Sequence, residues 1–232
     1  MIKGFRGTSL VDFPGRIAAV VFLGGCNFRC PFCYNVDLVL PERLSTLKDI
    51  SLDEVFAELK RRENFVSGVV VTGGEPTLHK TLLRTLLELL RNETKFALKL
   101  DTNGSQPDVV ENLLAEGLLD YVALDFKTSP SRYPELKGRF EPVKKTLSLL
   151  RKAQIPYEIR ITAVPHFISA KELEELLPYF EGAHLIALQR FMNEYERLAP
   201  EFDLGVYGPE ELRELQILLQ EKTKIPVELR NV

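Results

Sequence analysis

The chain alternates between short apolar runs and longer segments in which apolar residues recur every three or four positions. Largely apolar runs of strand length are typical of strands buried on both faces, and they occur at 17–23, 69–71, 96–100, 121–124, 157–164 and 185–188. Helical spacing predicts helices at 51–62, 80–91, 107–117, 141–152, 169–178 and 209–222. Residues 1–16 predict a short strand and turn, and 227–229 a final short strand.

Local signals fix several helix ends. Ser51 with Glu54, and Ser169 with Glu172, have the spacing of a capping box, in which each side chain bonds the other residue's backbone. Gly117 is a candidate C-cap, because glycine adopts the left-handed conformation that often ends a helix. Pro178 is expected to stop the helix that begins after Ser169.

Strand and helix alternate six times without a linker or a low-complexity tract, which predicts an α/β fold with one parallel sheet covered by helices. Polar and glycine-rich segments follow the strands, whereas the helix-to-strand connections are short and plain. Since a barrel assembles its active site from the loops at the carboxyl ends of its strands, this pattern favours a barrel-like arrangement over an open sheet. We expect a single domain over 1–232, with a helix and strand extension at about 208–232.

Composition excludes some classes of function. Of the 232 residues, 45% are hydrophobic and 27% charged, and the net charge of −3 argues against a broad nucleic-acid-binding surface. No apolar run reaches the ~18 residues of a membrane span, and residues 1–6 lack the apolar segment of a signal peptide. We therefore expect a cytoplasmic protein without a membrane partner.

All three cysteines lie in one loop after the first apolar run. Cys26, Cys30 and Cys33 have the spacing Cys-x3-Cys-x2-Cys, and an odd set of clustered cysteines indicates metal binding or catalysis. A structural zinc site needs four ligands, and a redox pair needs only two cysteines. An iron–sulfur cluster with three thiolates leaves one iron open to an external ligand. The spacing favours the cluster, with zinc as the alternative.

Polar residues stand where three other strands end. Thr72-Gly73-Gly74-Glu75 is either a tight turn or a place where a ligand approaches the backbone closely. Asp101 and Asp125 each follow an apolar strand, where they could cap a helix or, side by side, attract a cation. Arg160 lies in an apolar strand and needs an anionic partner if it points inward.

The histidines carry less weight. His79 and His184 lie outside the polar strand ends, so surface positions or satisfied side chains are expected there. His166, after Val164-Pro165, is the one candidate site histidine.

The cysteine spacing, with Phe32 before the last cysteine, resembles the signature of radical S-adenosylmethionine (AdoMet) enzymes. The resemblance extends over nearly the whole chain, since Gly73-Gly74-Glu75 matches the family's Gly-Gly-Glu turn and the six alternating units match its partial (β/α)6 barrel. The opening segment, residues 4–35, is most similar to activating proteins of glycyl radical enzymes. Among these it resembles anaerobic ribonucleoside-triphosphate reductase activating proteins most, with pyruvate formate-lyase activating enzyme as a near relative.

The resemblance implies roles for these residues. Cys26, Cys30 and Cys33 would hold a [4Fe–4S] cluster whose fourth iron binds the amino and carboxylate groups of AdoMet. The methionine end of AdoMet would lie against Gly73, Gly74 and Glu75, and the adenine against the backbone at Phe32. The resemblance also implies a monovalent cation, Na⁺ or K⁺, at Asp101, Thr102, Ala123 and Asp125. Further candidates around the nucleoside are Lys127, Arg160 and Val164.

Two segments depart from the family pattern. Activating enzymes often read Asp-Gly-Pro-Gly where this chain has Asp12-Phe13-Pro14-Gly15, a segment thought to meet the protein substrate, so Asp12, Pro14 and Gly15 are the candidate partner contacts. After the sixth strand, pyruvate formate-lyase activating enzyme has a histidine, whereas this chain reads Gln189-Arg190-Phe191.

The resemblance implies reductive cleavage of AdoMet to a 5′-deoxyadenosyl radical, which abstracts hydrogen from a glycine of a partner enzyme. A flavodoxin or ferredoxin would supply the electron. Two alternatives stay open: a radical enzyme acting on a small molecule or another peptide, and a zinc-stabilised binding protein without catalysis.

Overall fold

The computed structural model describes residues 1–231. The chain folds into two compact units, which are described separately. The first contains Met1–Asn27, Asp37–Thr102 and Gln106–Val122, and the second contains Phe28–Val36, Asn103–Ser105 and the described chain from Ala123 onward. The expectation of a single domain over 1–232 remains a prediction, and residue 232 lies outside the described residues.

Strands and helices alternate along the chain. The strands are β1 (Ile2–Ser9), β2 (Ala18–Leu23), β3 (Gly68–Gly73), β4 (Ala97–Thr102), β5 (Tyr121–Phe126), β6 (Tyr157–Ala163), β7 (Leu185–Arg190) and β8 (Val227–Arg230). The helices are α1 (Val36–Val39), α2 (Pro41–Leu44), α3 (Leu52–Arg61), α4 (Lys80–Glu93), α5 (Pro107–Ala115), α6 (Phe140–Lys152), α7 (Ala170–Phe180) and α8 (Pro209–Thr223). Pro76–Leu78 and Pro130–Leu136 form 3₁₀ helices. Within residues 1–231, no helix is both long enough and apolar enough to span a membrane.

The first unit is built on a sheet whose strands follow chain order. β1 runs antiparallel to β2, while β2, β3 and β4 are parallel, with Ala18 opposite Gly68 and Gly68 opposite Ala97. Val20 and Val70 lie on adjacent strands and are almost completely buried. Burial of parallel strands on both faces explains why residues 18–23 and 69–71 are apolar at every position rather than at alternate ones.

The second unit contains a parallel sheet of β6, β7 and β8. Ile159 lies opposite Ile186, and Ile186 lies opposite Val227. Glu158 on β6 is fully buried and is paired with Arg230 of β8, whose Nη2 lies 2.7 Å from Oε2. This pair attaches the last strand to the unit, because an unpartnered buried carboxylate would be costly.

The structure confirms the α/β class, the parallel strands and most predicted boundaries. Both capping boxes are present: Glu54 accepts a hydrogen bond from Ser51 N at 2.8 Å, and Glu172 accepts one from Ser169 N at 3.0 Å. Gly117 ends its helix with φ of +67°, as its C-cap position requires.

Two features differ from the sequence-based expectation. The helix α7 does not stop at Pro178 but continues to Phe180. The proline removes one backbone hydrogen bond, and the full burial of Leu176 and Phe180 offsets that loss. The connector before Ser51 contains the short helices α1 and α2, each of four residues. Segments this short show no helical period in the sequence.

Candidate functional site

The turn after β3 packs directly against the start of the cysteine loop in the first unit. Gly74 N donates to Leu23 O at 2.9 Å, and Glu75 N donates to Gly25 O at 2.7 Å. A Cβ on Gly74 would lie 2.0 Å from the Gly25 carbonyl oxygen, and a Cβ on Gly73, whose φ is +132°, would lie 2.2 Å from the Leu23 carbonyl oxygen. Both glycines are therefore needed for the turn after β3 to pack against the backbone of Leu23 and Gly25. This contact fixes where the cysteine loop begins.

Gly74→Ala is expected to move the cysteine loop, because its methyl group cannot coexist with a carbonyl oxygen 2.0 Å away. Overpacking of this kind costs about 1–3 kcal/mol, or roughly 3–10 °C in Tm. The variant should also retain less iron after anaerobic reconstitution. Gly117→Ala is the control. A Cβ at this position meets no atom within 4 Å, so the change strains only the left-handed backbone of Gly117 itself. Equal iron retention in the two variants would contradict the assigned role of Gly74.

Glu75 connects the same turn to the end of β4. Its side chain is fully buried, and Oε1 accepts hydrogen bonds from Thr77 N at 3.1 Å and Thr102 Oγ1 at 2.8 Å. The hydroxyl of Thr77 also donates to this oxygen. These donors hold the carboxylate in one orientation. Thr102 was a candidate from the sequence, whereas Thr77 was missed.

His79 has a structural partner in the first unit. Its Nε2 lies 2.5 Å from the carbonyl oxygen of Gly24, the residue that precedes Gly25 in the cysteine loop. The expectation of a satisfied side chain is confirmed. The contact also shows that His79 supports the loop, which its position in the sequence did not indicate.

Asp101 has a buried cation beside it. The Nζ of Lys99 lies 2.8 Å from Asp101 Oδ1, and the side chains are only 1% and 5% exposed. Lys99 Nζ also donates to the carbonyl oxygen of Asp12 at 2.6 Å and lies 5.8 Å from the ring centroid of Tyr121. The sequence offered a signal for this pair, because residues two apart on a strand share a face.

The ion pair bears on the cation that the resemblance implies. Two positive charges about 4 Å apart repel by about 4 kcal/mol at the effective dielectric constant typical of protein sites. A metal ion on the Asp101 carboxylate would incur such a repulsion from Lys99. The carboxylate is already compensated by an ammonium group within its own unit.

The segment Asp12–Gly15 forms a turn at the amino ends of the strands. Arg16 N donates to Phe13 O at 3.1 Å, and Gly15 has φ of +71°, which fits a type II turn with Pro14 and Gly15 at its centre. The turn alone accounts for the residue types at these positions, because a type II turn favours proline and then glycine at its centre. Their predicted role in partner binding remains a prediction.

Phe13 attaches this turn to the sheet. Its ring is 4% exposed, packs 5.6 Å from Tyr121, and fills the space beside Gly68, the first residue of β3. In the first unit the turn therefore lies at the opposite end of the strands from Gly74 and Asp101. Lys99 bridges the two ends, because it contacts Asp12 and Asp101 at once.

Cys30 and Cys33 belong to the second unit, where backbone hydrogen bonds hold their segment in place. Cys33 N donates to Cys30 O at 3.0 Å, and the Cys33 carbonyl oxygen accepts from Leu198 N at 3.0 Å. Burial raises the pKa of the Cys33 thiol above its usual value. A bound metal would reverse this preference, because a coordinating thiol is deprotonated.

Asp125 is the centre of a charged cluster in the second unit. Arg160 Nε lies 2.5 Å from Oδ1, and Lys127 Nζ lies 2.9 Å from Oδ2. Burial alone would raise the pKa of Asp125, but the charges of Arg160 and Lys127 outweigh it and hold that pKa far below its usual value. Arg160 therefore has the anionic partner that its place in an apolar strand requires.

Lys127 links this cluster to the cysteine segment. Burial would lower the pKa of Lys127, but the negative charges of Asp125 and an ionised Cys30 raise it above its usual value. Lys127 N also donates to the hydroxyl of Tyr133 at 3.4 Å, and burial raises the pKa of that phenol. Tyr133 was not predicted, because nothing in its sequence context distinguishes it from a core aromatic residue.

The remaining candidates in the second unit are apolar and buried. The ring of Phe32 packs 5.3 Å from that of Phe167, and Ala123 and Val164 are fully buried. After β7, Phe191 stacks on Tyr34 with ring centroids 5.7 Å apart. The roles of Phe32, Ala123 and Val164 toward a cofactor remain predictions.

His166 is exposed, and its ring packs edge-on against Phe202 with centroids 4.9 Å apart. The sequence made His166 the one candidate site histidine, and the structure places it on the surface. His184 lies beside Tyr157, whose backbone N is 3.4 Å from Nδ1.

The three thiols are divided between the units, since Cys26 belongs to the first, and Cys30 and Cys33 to the second. Within each unit, taken over its described residues, no three His, Cys, Asp or Glu side chains form a metal site on their own. The donor set itself fits a cluster, because three thiolates on one loop suit iron–sulfur ligation. Their assignment as ligands is a prediction from spacing and family.

The sequence profile of the Radical SAM superfamily matches residues 20–177, which is more than half of the chain. The chain belongs to this superfamily. The match begins within β2 and ends within α7, so it includes the cysteine loop, the Gly73-Gly74-Glu75 turn, Asp101 and Asp125. Membership implies binding of an iron–sulfur cluster and of AdoMet.

Among curated relatives, a protein of Methanocaldococcus jannaschii provisionally named a glycyl-radical enzyme activating enzyme is 32% identical over 82% of this chain and 80% of its own length. The pyruvate formate-lyase-activating enzyme of Listeria monocytogenes is 30% identical over 67% of this chain and 65% of its own length. The family resemblance drawn from the sequence is confirmed.

Solved structures share the fold. Streptococcus suis SuiB bound to its precursor peptide SuiA has a TM-score of 0.70 at 17% identity, over 91% of this chain and 48% of that chain. The protein anSMEcpe with bound AdoMet has a TM-score of 0.65 at 20% identity, over 90% of this chain and 62% of that chain. At these identities the likeness concerns the fold, and this chain spans about half to three fifths of either protein.

Proposed function

We propose that this protein generates a glycyl radical on a partner enzyme. The observation that carries the proposal is its 32% identity, across four fifths of both chains, to a relative named for glycyl-radical enzyme activation. The partner would be of the anaerobic ribonucleotide reductase or pyruvate formate-lyase type, and the latter type is supported by the name of the Listeria relative.

When bound, the cluster and AdoMet supply one-electron reductive cleavage, which yields methionine and a 5′-deoxyadenosyl radical able to abstract a glycine α-hydrogen. The electron would come from a flavodoxin or ferredoxin. In this proposal Cys26, Cys30 and Cys33 ligate the cluster. Each strand-end carboxylate then orients a polar group of AdoMet, because hydrogen bonds at Glu75 and ion pairs at Asp101 and Asp125 already hold it in one direction.

Glu75 and Asp101 are proposed to orient the methionine end of AdoMet. Glu75 is buried with Thr77 and Thr102 as donors, and Asp101 is held by Lys99. Asp125, Lys127 and Arg160 are proposed to face the nucleoside. We leave a monovalent cation out of the proposal, because Asp101 and Asp125 each have a side-chain cation within 3 Å.

The test is anaerobic incubation of the reconstituted protein with AdoMet, a reductant and a glycyl radical enzyme encoded beside it. Electron paramagnetic resonance should show a glycyl radical doublet on the partner, and the same partner with its glycine replaced by Ala should show none. AdoMet cleavage without a doublet on any such partner would contradict the proposal and favour a small molecule or another peptide as substrate. Zinc without sulfide after reconstitution would instead favour a non-catalytic binding protein.

A further inference from the structure

We propose that the ammonium group of Lys99 is the permanent counter-charge of Asp101, in the place where the resemblance puts a monovalent metal ion. The proposal rests on the proposed function only for the role of Asp101 toward AdoMet. Its structural basis is the 2.8 Å contact between Lys99 Nζ and Asp101 Oδ1. Lys99 would then be a positioning residue that makes the site independent of Na⁺ and K⁺.

Because the contact between Lys99 and Asp101 is buried, each charge depends on the other for compensation. Lys99 and Asp101 are 1% and 5% exposed, so neither charge can be compensated by bulk water. A buried charge of this kind needs a partner and further hydrogen bonds. For Asp101 the ammonium group is such a partner, and it is covalently fixed to β4, the strand that carries the carboxylate.

The ammonium group is also held from its other side. It donates to the carbonyl oxygen of Asp12 at 2.6 Å and lies over the ring of Tyr121. A lysine has three donors and no acceptor, so a carboxylate and a carbonyl oxygen together suit it well. These contacts fix Nζ in place, as a bound metal ion would be fixed by its ligands, without any dependence on the salt of the medium.

The first measurement uses the unaltered full chain, with and without reconstituted cluster. Its Tm and its Kd for AdoMet are compared in lithium, sodium, potassium and tetramethylammonium chloride at equal ionic strength. We expect Tm to agree within about 1 °C and Kd within about 2-fold. A metal site occupied far above its own Kd would raise Tm by several degrees. A rise of this size in sodium or potassium alone would overturn the proposal.

The second measurement uses Lys99→Met. We expect its Tm to fall by roughly 10 °C, because Asp101 is left buried without its partner. Sodium or potassium should now raise Tm, whereas tetramethylammonium should not. The exposed Lys95→Met is the matched control, with the same charge change just before β4 and no expected response.

Lys99→Met combined with Asp101→Asn removes both charges. We expect the double variant to regain part of the lost Tm and to lose the cation response. If Lys99→Met does not fold, the measurements on the unaltered chain and on the double variant still test the proposal. A double variant no more stable than Lys99→Met, or Lys99→Met without any cation response, would overturn the proposal. The Tm series needs no partner protein, so failure of glycyl radical formation leaves its result intact.

Discussion

Replacing any one of Cys26, Cys30 or Cys33 by Ala is expected to reduce AdoMet cleavage to background. The chain has three cysteines in total, so no other thiol can complete the set. Three thiolates are the number that leaves one iron of a [4Fe–4S] cluster open to an external ligand. The measurement is 5′-deoxyadenosine formed under reducing anaerobic conditions, together with iron and sulfide content.

Asn27→Ala is the matched control for the cysteine variants. Asn27 is exposed and adjoins Cys26 in the same loop, so this change alters the loop without removing a thiol. It should retain iron, sulfide and AdoMet cleavage. Cleavage that persists after any cysteine replacement, at the level of the control, would refute the ligand assignment.

Asp125→Asn is expected to destabilise the protein about as strongly as Lys99→Met. The carboxylate is 13% exposed and is paired with both Arg160 and Lys127, so its loss removes the negative charge that these two largely buried cations share. Breaking a buried pair typically costs about 3–5 kcal/mol, which corresponds to roughly 10 °C in Tm for a chain of this size. Chemical denaturation at pH 7 measures the loss of unfolding free energy directly.

The acid dependence of this loss has a definite sign. Because the pKa of Asp125 in the folded protein lies below its unfolded value, its contribution is fully present above the unfolded pKa of about 4. It is lost as pH falls from there toward the folded pKa. The difference in unfolding free energy between the wild type and Asp125→Asn should therefore be constant from pH 7 to about 5.5 and shrink below about pH 4.

Asp37→Asn is the control for Asp125→Asn. It breaks an ion pair with Arg43 in which both side chains are about half exposed, so the loss should stay below about 1 kcal/mol. Equal losses in the two variants, or a difference that persists undiminished in acid, would mean that charge compensation at Asp125 is not what stabilises this part of the protein.

The strands were predictable because apolar residues dominate each of them: four runs are apolar throughout, 96–100 is apolar apart from Lys99, and 157–164 keeps apolar residues at alternate positions. The strand predicted at 17–23 is Ala18–Leu23 in the structure, and the strand predicted at 185–188 forms the first four residues of Leu185–Arg190. Four-residue helices such as Val36–Val39 were not predictable, because they are shorter than the period that would identify them. The continuation of α7 beyond Pro178 depends on tertiary burial of Phe180, which local sequence does not contain.

The sequence predicted the site residues that lie at strand ends, but it did not predict which charged side chains would form ion pairs with them. Alternation along its strand places Arg160 on one face with Glu158 and Thr162, but it does not show whether that face meets solvent or a buried anion such as Asp125. Lys99 could have been predicted as a partner of Asp101 from their spacing of two. Thr77, His79 and Tyr133 could not, since each acts through a contact with a residue distant in sequence or a turn that only the fold defines.

The most direct test follows hydrogen from the partner to the nucleoside. The anaerobic reaction is run with a glycyl radical enzyme whose glycine carries deuterium at the α-carbon, and 5′-deoxyadenosine is examined by mass spectrometry. We expect one deuterium in 5′-deoxyadenosine and a glycyl radical formed in equal amount. Unlabelled 5′-deoxyadenosine formed with the labelled partner would contradict the account, because the hydrogen would then have come from another substrate.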